Sequence, residues 1–143
     1  MTLLIVNNYP DPKNMGHTSF DQLAKTLKNI TDEHCSIVTF REFNPSLHVT
    51  PDVCCLVLSG APAHFTTPEV EMYRTELDYL RVTKLPVLGI CHAHQLIAKA
   101  HGASIPTGSK YILGFENIQV LEPDTLFSGW KRGDRLTVRE VHQ

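Results

Sequence analysis

The stretch VLGICHAHQLIAKAHGA, residues 87–103, passes from an apolar run into a helix-like run with a single cysteine, Cys91, at the junction. LPVLGI (85–90) reads as a strand and HAHQLIAKAH (92–101) as a helix closed by Gly102. A cysteine between strand and helix is in the setting of a nucleophile elbow, where a sharp turn exposes the side chain and the helix N-terminus points at it. Free N–H groups and the helix dipole there favour the thiolate. The backbone N–H of His92 can face an oxyanion formed on an attacked carbonyl. A second donor must come from a neighbouring loop, and Gly60 and Ala61, at the end of an earlier strand, are well placed by topology. Glycine lets the backbone approach a ligand closely. The plain alternative is a small packed residue, which is what free cysteines usually are. The spacing alone leaves both readings open for Cys91. Cys35, Cys54 and Cys55 lie in or beside strands and take the plain reading.

Outward from this segment the chain alternates strands and helices. LLIVNN is an apolar run, broken by YPDPKNMG. In TSFDQLAKTLKNI, Phe20, Leu23, Ala24, Leu27 and Ile30 share a helical face, with Thr18 or Ser19 as cap. CSIVTF is a second strand, REFNPSLHVTPD a polar connection, and VCCLVLS a third strand, apolar throughout as a strand covered on both faces should be. After the loop GAPAHFTTP comes the helix PEVEMYRTELDYLRV, with Thr67 as cap, Pro68 in the first position, and Val70, Tyr73, Leu77 and Leu80 turned inward. Arg74, Glu76 and Asp78 read as its solvated face. Past Gly102 the pattern changes: GFENIQVL and DRLTVREV look like strands around the turn-rich EPDTLFSGWKRG. This order predicts one α/β domain over 1–143, a mostly parallel, doubly wound (flavodoxin-like) sheet with helices on both faces. Ligands of such sheets bind at the carboxyl ends of the strands, where both the Gly60 loop and Cys91 fall.

Composition sets the bounds. The 143 residues are 42% hydrophobic and 20% charged, with a formal net charge of -2 and no basic run, which gives no case for nucleic acid. The longest apolar stretches are of strand length, too short to span a membrane, and the N-terminus MTLLIVNNYP has no basic n-region. The four cysteines lack Cys-x-x-Cys spacing, so neither a disulfide framework nor a zinc site is expected. No metal or cofactor is implied, and a reducing cytoplasm is the simple inference.

LPVLGICHAHQLIAKAHGA resembles the nucleophile segment of class I glutamine amidotransferases, usually Gly-(Ile/Val)-Cys-x-Gly-His-Gln. VLSGAP resembles their oxyanion loop, usually Ser-Gly-Gly-Pro, and DTLFSGW a later segment; order and spacing agree over nearly the whole chain. The resemblance implies that Cys91 attacks the side-chain amide of glutamine, that the Gly60, Ala61 and His92 backbone amides form the oxyanion hole, and that Gln95 helps hold the substrate. Ammonia would leave, a thioester would be hydrolysed to glutamate, and a synthase partner or domain would accept the ammonia. Three departures stand out. Ala93 stands where the family has glycine, Ala61 often likewise, and the family's base, a His-x-Glu pair typically in a His-Pro-Glu segment near its C-terminus, has no such segment in this sequence. VREVHQ resembles a segment ahead of that pair, so His142 is not taken as the base. The expectation is a domain truncated at its C-terminus, its base outside these residues.

Other readings compete with this one. His94, three positions after Cys91, lies in the helix behind the turn. His92 and His94 diverge on a helix and do not suit a shared metal. His17, His34, His48, His64 and His101 read as surface residues, with His17 and His64 in loops that could border the site. A cysteine hydrolase of the DJ-1/PfpI group is suggested by Cys followed directly by His; LSGAP and HQLIA weigh against it. A degenerate regulatory or binding domain is suggested by the absent pair, and opposed by Cys91, Gly60 and Gln95.

Overall fold

The computed structural model describes residues 1–11, 18–63, 69–106, 112–125 and 128–142. They divide into two compact units, Met1–Ile105 and Pro106–Gln143.

The first unit holds β1 (Thr2–Asn7), α1 (Thr18–Thr31), β2 (His34–Thr39), α2 (Pro45–His48), β3 (Val53–Leu58), a 3-10 turn (Glu69–Tyr73) running into α3 (Arg74–Leu80), β4 (Val87–Gly89) and α4 (His92–Ala100). Its sheet has the order β2-β1-β3-β4, and all three strand pairs are parallel. The first strand is central, as expected of a chain wound outward in both directions.

Side chains alternate across each strand, and the register puts Leu4 beside Leu56, and Val6 beside Val38 and Leu58. These residues form one core with Tyr73, Leu77 and Leu80 from the α3 region and Ala93, Leu96 and Ala100 of α4. Leu3, Ile5 and Val57, at the odd positions, are also buried. On β2 the odd-numbered Cys35 donates its thiol hydrogen to the Ala24 carbonyl of α1, at 3.5 Å. The two sheet faces are therefore covered by different helices. Each fully buried aliphatic side chain contributes roughly 1.5–3 kcal/mol, so the central strands β1 and β3 anchor the unit.

Several expectations are corrected. The polar connection after β2 contains α2, made by local chemistry: Pro45 pre-sets the first turn, and the Asn44 side chain accepts from the Ser46 N–H at 3.0 Å. The buried stripe of α1 does not reach Ile30, which is 74% exposed. Glu76 is not on a solvated face; it is 1% exposed, whereas Arg74 and Asp78 face water. α1 begins at Thr18 as its described span opens, but the side chains of Thr18 and Ser19 expected to cap it, like Thr67 and Pro68, fall outside what is described.

Gly102 closes α4 as expected. Its φ is +89°, with Gly102 N–H donating to Lys99 O and Ala103 N–H to Ala98 O. This double bond is the Schellman arrangement, which needs a left-handed residue. The last two expected strands do not extend the parallel sheet. β5 (Ile112–Gln119) and β6 (Arg135–His142) pair antiparallel with each other, from Ile112 opposite His142 to Gln119 opposite Arg135. Among the described residues, no helix is long and apolar enough to cross a membrane.

Candidate active site

The carboxyl ends of β1, β3 and β4 carry Asn7–Tyr9, Ser59–Ala63 and Ile90–Cys91. Backbone bonds align these ends: Ser59 N–H donates to Val6 O at 3.0 Å, and Ile90 N–H to Leu58 O at 3.0 Å. The chain then turns sharply. Cys91 has φ 52° and ψ -113°, a conformation that costs a non-glycine residue about 1–3 kcal/mol and persists only when its surroundings impose it. The helix imposes it from one side. His94 N–H donates to Cys91 O at 3.0 Å, so α4 begins immediately after the strained residue. β4 imposes it from the other. A Cβ on Gly89 would lie 2.6 Å from Ile97 Cδ1 and 2.9 Å from Ala93 C and O, so only glycine lets α4 pack this closely on its own strand. The Cys91 side chain is exposed as a result. A strained, exposed cysteine at a strand-to-helix turn is the geometry of a nucleophile elbow.

The Gly60 loop meets this turn directly. A Cβ at Gly60 would sit 3.2 Å from Cys91 Cβ, 3.5 Å from Ile90 O and 3.9 Å from Cys91 Sγ. Gly60 thus lies against the cysteine, and Ala61 follows in the same half-buried loop. Ala93, the departure that threatened the elbow, is fully buried against β4 without preventing the turn. Gln95 is half-buried on α4 and His94 is exposed. His17 and His64, named as loop residues near the site, lie outside the described residues, as does the His142 side chain.

Below the turn lies a buried polar layer that sequence reasoning missed. Asn8, Ser59, Glu76 and His92 are each no more than 4% exposed. Asn8 N–H donates to Ser59 Oγ at 2.9 Å, and Asn8 Nδ2 donates to Glu76 Oε2 at 3.2 Å. The Tyr73 hydroxyl donates to Asn8 O at 2.8 Å, and its ring packs on the His92 ring at 4.8 Å. Burial pushes His92 down to about 4, against the opposing pull of a hydrogen bond with the Ala63 backbone, so its imidazole is neutral. Burial likewise pushes Glu76 up to about 8, although the Asn8 bond acts the other way, and Tyr73 up to about 12. Tyr9 is a further neighbour of the thiol. Burial and then the negative charge of Cys91 raise its phenol. Asn8 and Tyr9 carried a positional signal, because NNYP follows the first strand directly and so had to emerge at the same sheet edge.

The model of a known family, glutamine amidotransferase class-I, matches residues 17–143. A curated relative, a glutamine-hydrolyzing GMP synthase subunit of Methanosarcina acetivorans, is 31% identical over 145 residues, covering 99% of this chain; the chain spans 66% of that relative's length. Two solved structures share the fold. A GMP synthase subunit-like protein of Thermoplasma acidophilum superposes with TM-score 0.76 at 23% identity, covering 99% of this chain and 64% of that one. A glutamine amidotransferase of Thermotoga maritima gives 0.68 at 16% identity, covering 99% and 60%. With an elbow cysteine, a glycine loop against it and a family match over nearly the whole sequence, the chain belongs to the class-I glutamine amidotransferase family.

Proposed function

We propose that the chain is the nucleophile-bearing part of a glutaminase, acting on the side-chain amide of glutamine. The observation that carries this reading is the approach of Gly60 to Cys91, since a Cβ there would lie 3.2 Å from Cys91 Cβ. An oxyanion donor loop must lie within one atom's width of the attacked carbonyl, and this approach supports that role for Gly60 and Ala61.

In this reading the Cys91 thiolate attacks the glutamine Cδ. The new C–S bond pushes the carbonyl electrons onto oxygen, where the Gly60–Ala61 backbone and the His92 N–H receive the charge. The oxyanion then collapses, the C–N bond breaks, and the nitrogen leaves as ammonia after taking a proton from the general acid. Water attacks the thioester, the C–S bond breaks, and glutamate leaves. Gln95 helps hold the substrate. The proton carrier in this reading is a His-x-Glu pair outside these residues: none of His17, His34, His48, His64, His92, His94 and His101 is followed two positions later by Glu, and VREVHQ resembles a segment ahead of that pair. The printed name of the Methanosarcina relative, one subunit of a synthase, supports a synthase partner that accepts the ammonia. The cytoplasm is the proposed location, and no metal or organic cofactor enters the chemistry.

The test is glutamate release from glutamine. These 143 residues alone should turn over little or no glutamine, because missing general acid–base help costs roughly 10²–10⁴-fold in rate. The chain continued through a His-x-Glu segment should be active, and Cys91→Ser should abolish that activity. Robust turnover by the 143 residues that is lost in His142→Ala would instead make His142 the base.

A further inference from the structure

Glu76 is a buried carboxyl that the mechanism above does not use. It sits on α3 and is 1% exposed, with Oε2 accepting from Asn8 Nδ2 at 3.2 Å. Two buried atoms of this pair, Asn8 Oδ1 and Glu76 Oε1, have no hydrogen-bond partner among the described residues. A carboxylate has no donor to offer Asn8 Oδ1. A carboxylic acid does, because a proton on Oε1 supplies the second bond of a cyclic acid–amide pair. The raised Glu76 equilibrium is consistent with that form.

The consequence travels toward the nucleophile. The backbone N–H of Asn8 donates to Ser59 Oγ at 2.9 Å, and the Ser59 hydroxyl donates to Gly60 O at 3.0 Å. Peptide planarity makes the Gly60 carbonyl and the Ala61 N–H antiparallel. A Gly60 carbonyl tied to the Ser59 hydroxyl therefore turns the Ala61 N–H away from that hydroxyl. Were the tie lost, the peptide could rotate and withdraw the donor.

We propose that Glu76, through its side-chain pairing with Asn8, is a positioning residue that holds the Ser59–Gly60 turn and so fixes the orientation of the Gly60–Ala61 peptide beside Cys91. This deepens the glutaminase reading and rests on it. The residue touches no substrate and acts only through Asn8 and Ser59.

The experiment compares two labelling rates at Cys91 by peptide mass spectrometry. One reagent is 6-diazo-5-oxo-L-norleucine, a glutamine analogue whose reaction needs the oriented site. The other is iodoacetamide, which needs only an accessible thiol. Glu76→Leu should lower the ratio of analogue to iodoacetamide rates by about 10–100-fold, the usual consequence of a small misplacement at a reacting centre. Glu76→Gln should restore the wild-type ratio, because a glutamine amide can make the same two bonds to Asn8. Ser59→Ala should lower the ratio similarly, and adding Glu76→Leu to it should have little further effect, as expected for residues in one chain of contacts. An unchanged ratio in Glu76→Leu, or in Ser59→Ala if Glu76→Leu does not fold, would overturn the proposal and leave the glutaminase reading intact. A wild type that iodoacetamide modifies at Cys91 but the analogue does not would overturn that reading, and the proposal with it.

Discussion

At the scale of single residues, the site is governed by what two glycines omit and what two buried groups hold. A Cβ on Gly60 would press on Cys91 Cβ at 3.2 Å and stand 3.9 Å from its sulfur. Gly60→Ala should therefore shift the loop by a few tenths of an ångström. Labelling by the glutamine analogue should slow about tenfold or more with little change in melting temperature. Gly89→Ala places its methyl 2.9 Å from Ala93 backbone atoms, which cannot swing away. Overpacking of that kind costs about 1–3 kcal/mol, and a urea titration should show it as a lowered midpoint. The buried pair makes stability depend on pH with a definite sign. Folded Glu76, raised from 4.5 to about 8, keeps a proton that the unfolded chain gives up, so its stabilising effect is lost as pH rises through that window. Folded His92, lowered from 6.5 to about 4, refuses a proton that the unfolded chain accepts, so its contribution is lost as pH falls through that window. The two effects offset one another below pH 6.5, and Tyr73, raised to about 12, titrates outside the range. Stability should thus fall between roughly pH 6.5 and 8 by about 1–2 kcal/mol, given a limiting slope of about 1.4 kcal/mol per unit. Glu76→Gln should abolish the fall, and urea midpoints across that interval would measure it.

At the scale of elements, the strand-to-helix turn carries the chemistry and the strain together. Cys91 occupies φ 52° because β4 and α4 fix it from both sides. Glycine adopts that backbone without penalty. Cys91→Gly should therefore melt higher than Cys91→Ala, by about 1 kcal/mol in stability, although both lack the nucleophile; an equal or lower melting point for Cys91→Gly would argue that the turn is unstrained. How legible each element was follows from its physics. The elbow could be read because Gly89, Cys91 and Gly102 mark a strand end, a turn and a helix end within a short span. α2 was missed because a four-residue helix shows no apolar period, and only its Asn44-Pro45 start signals it. Glu76 was misassigned by chemistry rather than by pattern. Tyr73, Glu76, Leu77 and Leu80 follow the i, i+3, i+4, i+7 rule for one helix face, and all four are buried. A charged residue type outweighed a spacing that already pointed inward. Ile30 erred the other way, since its period matched but α1 ends one residue later and, among the described residues, it stays exposed.

At the scale of the whole molecule, the order of strands and helices foretold the parallel sheet, while the pairing of β5 with β6 depended on long-range partners that periodicity does not encode. The β5–β6 unit is two-stranded, with Leu113 and Phe115 exposed, and isolated two-stranded hairpins are marginal in water. We propose that residues 1–143 nevertheless unfold as one domain. Trp130, the single tryptophan, lies in the second unit, whereas far-ultraviolet dichroism is dominated by the helices of the first. Coincident thermal transitions by the two probes are expected, and an earlier tryptophan transition would instead make the second unit an independent domain. The function rests on a narrower claim, that the cysteine at the turn is the nucleophile for a glutamine side chain. The direct measurement is peptide mass spectrometry after exposure to 6-diazo-5-oxo-L-norleucine, with and without excess glutamine. The predicted result is a single adduct on Cys91, slowed by glutamine, with Cys35, Cys54 and Cys55 unmodified; an unmodified Cys91, or adducts on Cys54 or Cys55 that glutamine does not suppress, would contradict it.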